Sequence, residues 1–250
     1  MIDHFKVISL EGFGLNNLPL SISSAGAILN YVENTQMKAL SQFNSISTYK
    51  ITDYLIIDNT TKRNLELFAT ARDNLFQGSL LSILDQTKTA MGGRLLRAWL
   101  LNPLLDKNLI NQRLDAVEEL VEKNIFRMYI REHLSQILDI ERLASLISVG
   151  MANARDMIAL SISLNTLPAI SQILEKHHSK MSLLLKNLPE ELILLGKKIE
   201  ETIVESPPPL ITEGGLIKPG INKELDALKD LLYNDKSWLT ELERKERERT

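Results

Sequence analysis

GSLLSILDQTKTAMGGRLLRAWLLNPLLD, residues 78–106, is the stretch on which the fold turns. Met91, Leu95, Leu96 and Trp99 fall on one face of a 3.6-residue period, which predicts a helix with an apolar stripe. Asn102 precedes Pro103, and proline disfavours α geometry in its predecessor, so that helix ends there. Asp106 is placed to cap the next one.

Helical spacing continues outward from this segment. Ile110, Leu114, Val117 and Val121 recur at four, three and four residues, predicting a stripe turned toward a neighbour. Further stripes follow at Tyr129, Ile130, Leu134 and Ile137, and at Met157, Leu160, Leu164 and Leu167 after the capping residue Asn153. Leu192, Leu195, Ile199 and Ile203 define a last bundle helix from Pro189 to about Ile203, and Pro207-Pro208-Pro209 stops it. Two apolar pairs around Gly214-Gly215 then predict a hairpin-like insertion over 207–221.

From Asn222 the spacing of Leu225, Leu228, Leu232, Leu239 and Leu242 is nearly a heptad, broken at Asp235. A helix of about 28 residues there would be roughly 42 Å long. Its far end, Glu243 to Arg249, alternates in charge and reads as a solvated arm. In the other direction, Tyr54 to Ile57 predicts one short strand, and Ser23 is the expected cap of a helix burying Ala25, Ile28, Leu29, Val32, Ala39, Leu40 and Phe43. Residues 1–22 read as a strand-and-loop end without a core of its own.

The fold class expected is therefore mainly α: a helical bundle core with a long protruding lever helix and a small β element near each end. The domain division expected is 1–22 as the end of a connector-like domain, 23–206 as the helical core, 207–221 as the insertion and 222–250 as the start of the lever. Composition agrees, with 44% hydrophobic and only 5% aromatic residues. The absence of cysteine excludes disulfides, thiolate metal sites and a cysteine nucleophile. No uncharged apolar stretch is expected to reach the ~20 residues that cross a bilayer, so a cytoplasmic, nucleoid-associated protein is expected, with no membrane partner. A net charge of -3 argues against a broad basic face for nucleic acid.

No catalytic, cofactor-binding or metal residue is assigned, and the chain is not expected to be an enzyme. A phosphate-cradling loop needs a glycine-rich turn ending in Gly-Lys and a hydroxyl residue, whereas Gly196-Lys197 is followed by Lys198 inside a predicted helix. Gly12 and Gly14 lack the third glycine and the helix of a dinucleotide fingerprint. His4, His133, His177 and His178 have no carboxylate at metal-binding spacing. Glu118-Glu119, Glu190-Glu191 and Glu200-Glu201 are adjacent in sequence and diverge by about 100° on a helix, so they read as solvated faces. Arg94 and Arg97 sit early in a helix, against its dipole, which hints at a carboxylate partner such as Asp85 or Glu66, although an exposed arginine is the favoured reading.

Several strings in order resemble the MutS family of bacterial mismatch-recognition proteins. Phe13-Gly14-Leu15 and Ala25-Gly26-Ala27-Ile28-Leu29-Asn30-Tyr31-Val32 through Thr35-Gln36 are similar to its connector-to-core junction. Asp58 to Thr61 with Arg63-Asn64-Leu65-Glu66-Leu67 resembles the opening of its core. The strongest match is Gly78-Ser79-Leu80-Leu81, Leu84-Asp85, Thr87, Thr89, Met91-Gly92, Arg94-Leu95-Leu96, Trp99-Leu100, Pro103-Leu104 and Asp106. Ala154-Arg155-Asp156, Leu167-Pro168, Pro208-Pro209, Glu213-Gly214-Gly215, Ile217, Gly220, Glu224-Leu225-Asp226 and Glu246-Arg247-Glu248-Arg249-Thr250 continue it.

The resemblance implies a core and lever segment of a homodimeric sensor of mismatched double-stranded DNA, working with other mismatch-repair proteins. It implies ATP and magnesium for an ATPase domain, and a mismatch reader and a clamp, none of which these residues match. Asp58, Asn64, Glu66, Arg94 and Trp99 are implied to be architectural. Another reading is a stand-alone helical interaction module, with no DNA role, that binds a partner helix through the 225–242 seam.

Overall fold

A computed structural model describes residues 1–7, 9–13, 15, 17–35, 43, 46, 48, 51–175, 188–231, 244, 245 and 247. Its helices are α1 (Ile2–Phe5), α2 (Pro19–Thr35), α3 (Asn59–Asn64), α4 (Leu80–Leu84) and α5 (Ala90–Leu101). They continue with α6 (Lys107–Glu122), α7 (Asn124–Leu134), α8 (Ile140–Val149), α9 (Ala154–Leu174) and α10 (Glu190–Thr202).

Side chains fix most of the helix starts. Asp58, Ser79, Thr89, Asp106 and Asp139 each accept from a backbone N–H of the first turn they precede. Asn153 and Asp156 form a reciprocal capping box at the start of α9. Each such cap is worth about 1 kcal/mol, so six of them mark where the helices start by local contacts alone.

The core lies around α9, which packs against α7, α8 and α10. Leu143, Leu160, Leu164 and Ile199 form one buried cluster, and Ile137, Ile170 and Leu174 form a second. Ile140 and Leu167 touch both, so the two clusters make one continuous apolar interior. The stripes at Met157 to Leu167 and at Leu192, Ile199 and Ile203 pack as their spacing predicts. Leu195 stays 42% exposed.

Four expectations need correction. α9 carries no charged residue from Met157 to Leu174, so by length and composition it could cross a bilayer. Its nine buried residues instead make it the central core helix, and Ser161, Ser163 and Thr166 are among them. Second, α2 starts at Pro19 rather than after Ser23 and buries none of its residues. Proline is preorganised for a first helical turn and loses no bond there. Phe43 is 43% exposed, while Ala39 and Leu40 lie outside the described residues.

Third, the stripe on α6 faces solvent: Ile110, Leu114, Val117 and Val121 are 36%, 58%, 55% and 60% exposed. Fourth, the β elements are single antiparallel bridges, Tyr54 with Leu104 and Ile203 with Ile217. Leu55 N donates to Pro103 O at 2.8 Å, and Val204 N donates to Leu216 O at 3.0 Å. Between the apolar pairs, Ile211–Glu213 forms a 3-10 turn instead of a hairpin.

A short helical segment follows Asn222, where the lever was expected to start. Asn222 Oδ1 accepts from Glu224 N and Leu225 N, and residues 223–231 are helical. Beyond that, the predicted lever lies outside the described residues except for positions 244, 245 and 247.

Candidate functional site: two joints between helices

Arg94 is the centre of the first joint. It projects from α5, and its Nη1 and Nη2 donate to Asp139 Oδ2 and Oδ1 at 2.8 and 2.7 Å. Nη2 and Nε also reach Glu141 Oε2 at 2.6 and 3.2 Å. A planar guanidinium can hold two carboxylates in fixed orientation where an ammonium cannot. Asp139 is at the same time the cap of α8, accepting from Arg142 N at 3.2 Å. One side chain therefore ties the middle of α5 to the start of α8.

The Arg94 hydrogen bonds hold the Asp139 carboxyl down to about 2, and the same contacts raise the Arg94 guanidinium above its ordinary value. Both partners are partly solvated, so the pair orients more than it stabilises. One turn before Arg94, Met91 packs on the buried cluster of Ile137, Ile170 and Leu174. The polar clamp thus sits over an apolar seat.

Neither carboxylate expected for Arg94 is its partner. Asp85 accepts from the Thr87 amide and hydroxyl, the latter at 2.6 Å, and Glu66 accepts from Ala71 N at 2.6 Å. Both are used locally, in turns. Arg97 places its guanidinium 4.6 Å from the centroid of Phe68, and Arg113 lies 3.8 Å from that of Trp99.

The second joint links α9 to α10. Ser161 Oγ donates to Gly196 O at 2.7 Å, and Asn165 Nδ2 donates to Glu200 Oε2 at 2.7 Å. A Cβ on Gly196 would collide with Asn165 Oδ1 and stand 3.1 Å from Leu164 Cβ, so glycine lets the helices approach. Ser163, fully buried, donates to Ala159 O and accepts from Leu138 N, which pins the entry to α8 on α9. Arg155 Nε donates to Pro207 O at 2.9 Å and fastens the proline run to the start of α9.

Gly196 is where sequence reading missed a structural role by testing it only as a phosphate loop. Its place between Leu195 and Lys197, in a helix with a buried stripe, was the available signal. Gly196 is buried mid-helix with its carbonyl engaged, so the one Gly-Lys forms no phosphate cradle.

The remaining candidates stay apart. His4 Nε2 donates to Phe43 O at 2.9 Å, and His133 lines a cleft beside α9 with Glu200 and Glu205. His177 and His178 lie outside the described residues, as does Gly14, whereas Gly12 sits in a 3-10 turn. Glu119 pairs with Lys123 at 3.0 Å one turn along α6. Glu118, Glu190, Glu191 and Glu201 are exposed. Among the described residues no three His, Asp or Glu side chains are grouped to hold a metal ion. The arrangement is a braced frame.

Residues 60–248 match the family MutS domain III, and residues 1–44 match MutS domain II. The whole chain is 46% identical to a DNA mismatch repair protein MutS of Halothermothrix orenii, of which it covers 28%. It is 48% identical to the protein of that name from Trichormus variabilis, covering 29% of it, and 44% identical to that of Synechococcus elongatus, covering 28%. The chain thus spans under a third of the length of these relatives.

Proposed function

This chain belongs to the MutS family, and from that premise we propose that it serves as the core and lever segment of a mismatch-repair protein that binds mispaired DNA and ATP. On this reading it performs no chemistry itself. Its work is to couple an ATPase at one end to a DNA clamp at the other, within a homodimer that meets other mismatch-repair proteins.

The observation that carries the reading is an unbroken mechanical path. Arg94 fastens α5 to α8, Ser163 pins the entry to α8 on α9, and Gly196 seats α10 against α9. The Ile203–Ile217 bridge then joins the end of α10 to the segment entering the helix at 223–231. Lys229 Nζ donates back to Ile217 O at 3.2 Å, so the helix is braced on that bridge. A braced series of stiff elements can carry a rotation across tens of ångströms.

The test is a chimera in which this chain replaces the matching segment of the Halothermothrix orenii relative, expressed in bacteria lacking mismatch repair. Restored repair is expected, and loss of it when Leu228 is changed to Pro, because proline breaks the helix it enters. Repair that survives Leu228→Pro would remove the lever from the account. A folded chimera without repair would remove the core assignment.

A different class of function, a stand-alone interaction module, is favoured by Leu228 and Leu231, which are 60% and 61% exposed on the 223–231 helix. It predicts that the chimera fails while the isolated chain captures a partner helix.

A further inference from the structure

Two clefts meet at Lys62, near the end of α3. One, of about 510 Å³, is lined by Lys62, Arg63 and Arg72 together with Asn59 and Asn74. The other, of about 520 Å³, is lined by Lys62 and Arg113 beside Trp99. Neither has an Asp or Glu in its wall. The cleft over α9, by contrast, is lined by Glu200 and Glu205, and a smaller one sets Glu205 against Arg155. In a chain with 32 acidic and 29 basic residues, four cations without an acid is a local inversion of charge.

The nearby carboxylates make no ion pair with these cations, although the Asp58 charge is felt at Lys62. Asp58 is bonded to the Thr61 amide and Glu66 to the Ala71 amide. No ion pair among the described residues involves Lys62, Arg63, Arg72 or Arg113. Arg113 is half-buried against the Trp99 ring, where an unpaired guanidinium carries a desolvation cost that an anion would offset. Arginine forks and a lysine lining open grooves suit the oxygens of a phosphate.

We infer that this paired cleft is a phosphate-binding track for a nucleic-acid backbone, with Lys62, Arg63, Arg72 and Arg113 as its cations. The choice of a nucleic-acid backbone over an acidic peptide rests on the mismatch-repair reading. The track is blind to sequence and to mispairing, because it offers its cations to phosphates and not to base edges.

The experiment is a titration of a fluorescent matched duplex with the purified 250-residue chain at salt from about 50 to 200 mM, repeated with a mismatched duplex. The wild-type chain should bind both equally, with log K falling by roughly 0.9 per phosphate contact for each decade of salt. Lys62→Gln with Arg72→Gln should weaken binding tenfold or more at low salt and reduce that slope by about 2. Lys197→Gln with Lys198→Gln, which removes the same charge from the exposed face of α10, should leave both values in place. Equal melting temperatures confirm that all three proteins are folded.

The track is overturned if the wild-type chain binds no duplex at low salt, or if the two double variants weaken binding equally. It is also overturned if polyglutamate displaces the duplex as well as unlabelled duplex does at equal charge. Preference for the mismatched duplex would instead count against the scaffold reading, because the core would then hold a base reader. The two failures are separate.

Discussion

Arg94 and Asp139 set an expectation about acid. Asp139 has its pKa lowered in the folded chain from an ordinary 3.8 to about 2, through the Arg94 hydrogen bonds first. A depressed carboxylate adds stability above its unfolded value and loses that contribution as pH falls through its folded value. The melting-temperature gap between wild type and Asp139→Asn is therefore full above about pH 4 and closes as pH approaches 2. A gap that stays constant over that window would show that Asp139 acts only as the α8 cap. Arg94→Lys, which keeps the charge but not the fork, should disturb Asp139 and Glu141 together, seen as a carboxyl carbon shift of both in NMR. Ser163 gives a second case. Its hydroxyl is fully buried and satisfies two groups, so Ser163→Ala should cost about 1–3 kcal/mol in urea unfolding. The place of Arg94 against the helix dipole hinted at a carboxylate, although an exposed arginine was the favoured reading. Which carboxylate was not legible, because Asp139 lies 45 positions away and only the packing of α5 on the second cluster brings it near.

At the scale of elements, the α9–α10 contact makes the sharpest prediction. Glycine inside a helix costs about 1 kcal/mol relative to alanine, so an idle Gly196 would give a more stable protein on substitution. The close approach of Leu164 Cβ and Asn165 Oδ1 reverses the sign. Overpacking costs typically 1–3 kcal/mol, so Gly196→Val should destabilise by about 2 kcal/mol or more, read as a lowered urea midpoint. Gly196→Ala should be milder, and adding Asn165→Ala should recover part of the loss by removing the nearer clash. If Gly196→Val instead raised stability, the tight joint would not exist. The stop of α5, the start of α9 and the core stripes of α9 and α10 were legible, because caps, proline and 3.6-residue spacing act within a few residues, whereas the α5 stripe buries none of its residues and leaves Leu95 52% exposed. The β segments at Tyr54 and Ile217 were misjudged, since a β-favouring run needs a partner strand and each finds only one bridging residue.

At the scale of the whole molecule, the face of α6 carries the argument. Periodicity marks which side of a helix is apolar, yet it is silent on whether anything covers that side. Here Leu114, Val117 and Val121 stand more than half exposed, and on α7 Ile125 and Met128 are 69% and 63% exposed. Apolar surface of this kind is unfavourable in water at about 25 cal/mol per Å². The isolated chain should therefore bind a hydrophobic dye at neutral pH and sediment with a mass that grows with concentration. Leu114→Glu with Val117→Lys should abolish both behaviours while leaving the melting temperature within about 1 °C, since neither side chain belongs to the buried clusters. Such a result would separate two properties that sequence patterning treats as one. The α9 stripe holds the fold together, whereas the α6 stripe contributes nothing to it until another surface arrives. If the double substitution unfolded the chain, α6 would be part of the core and its exposure would have to be covered in solution.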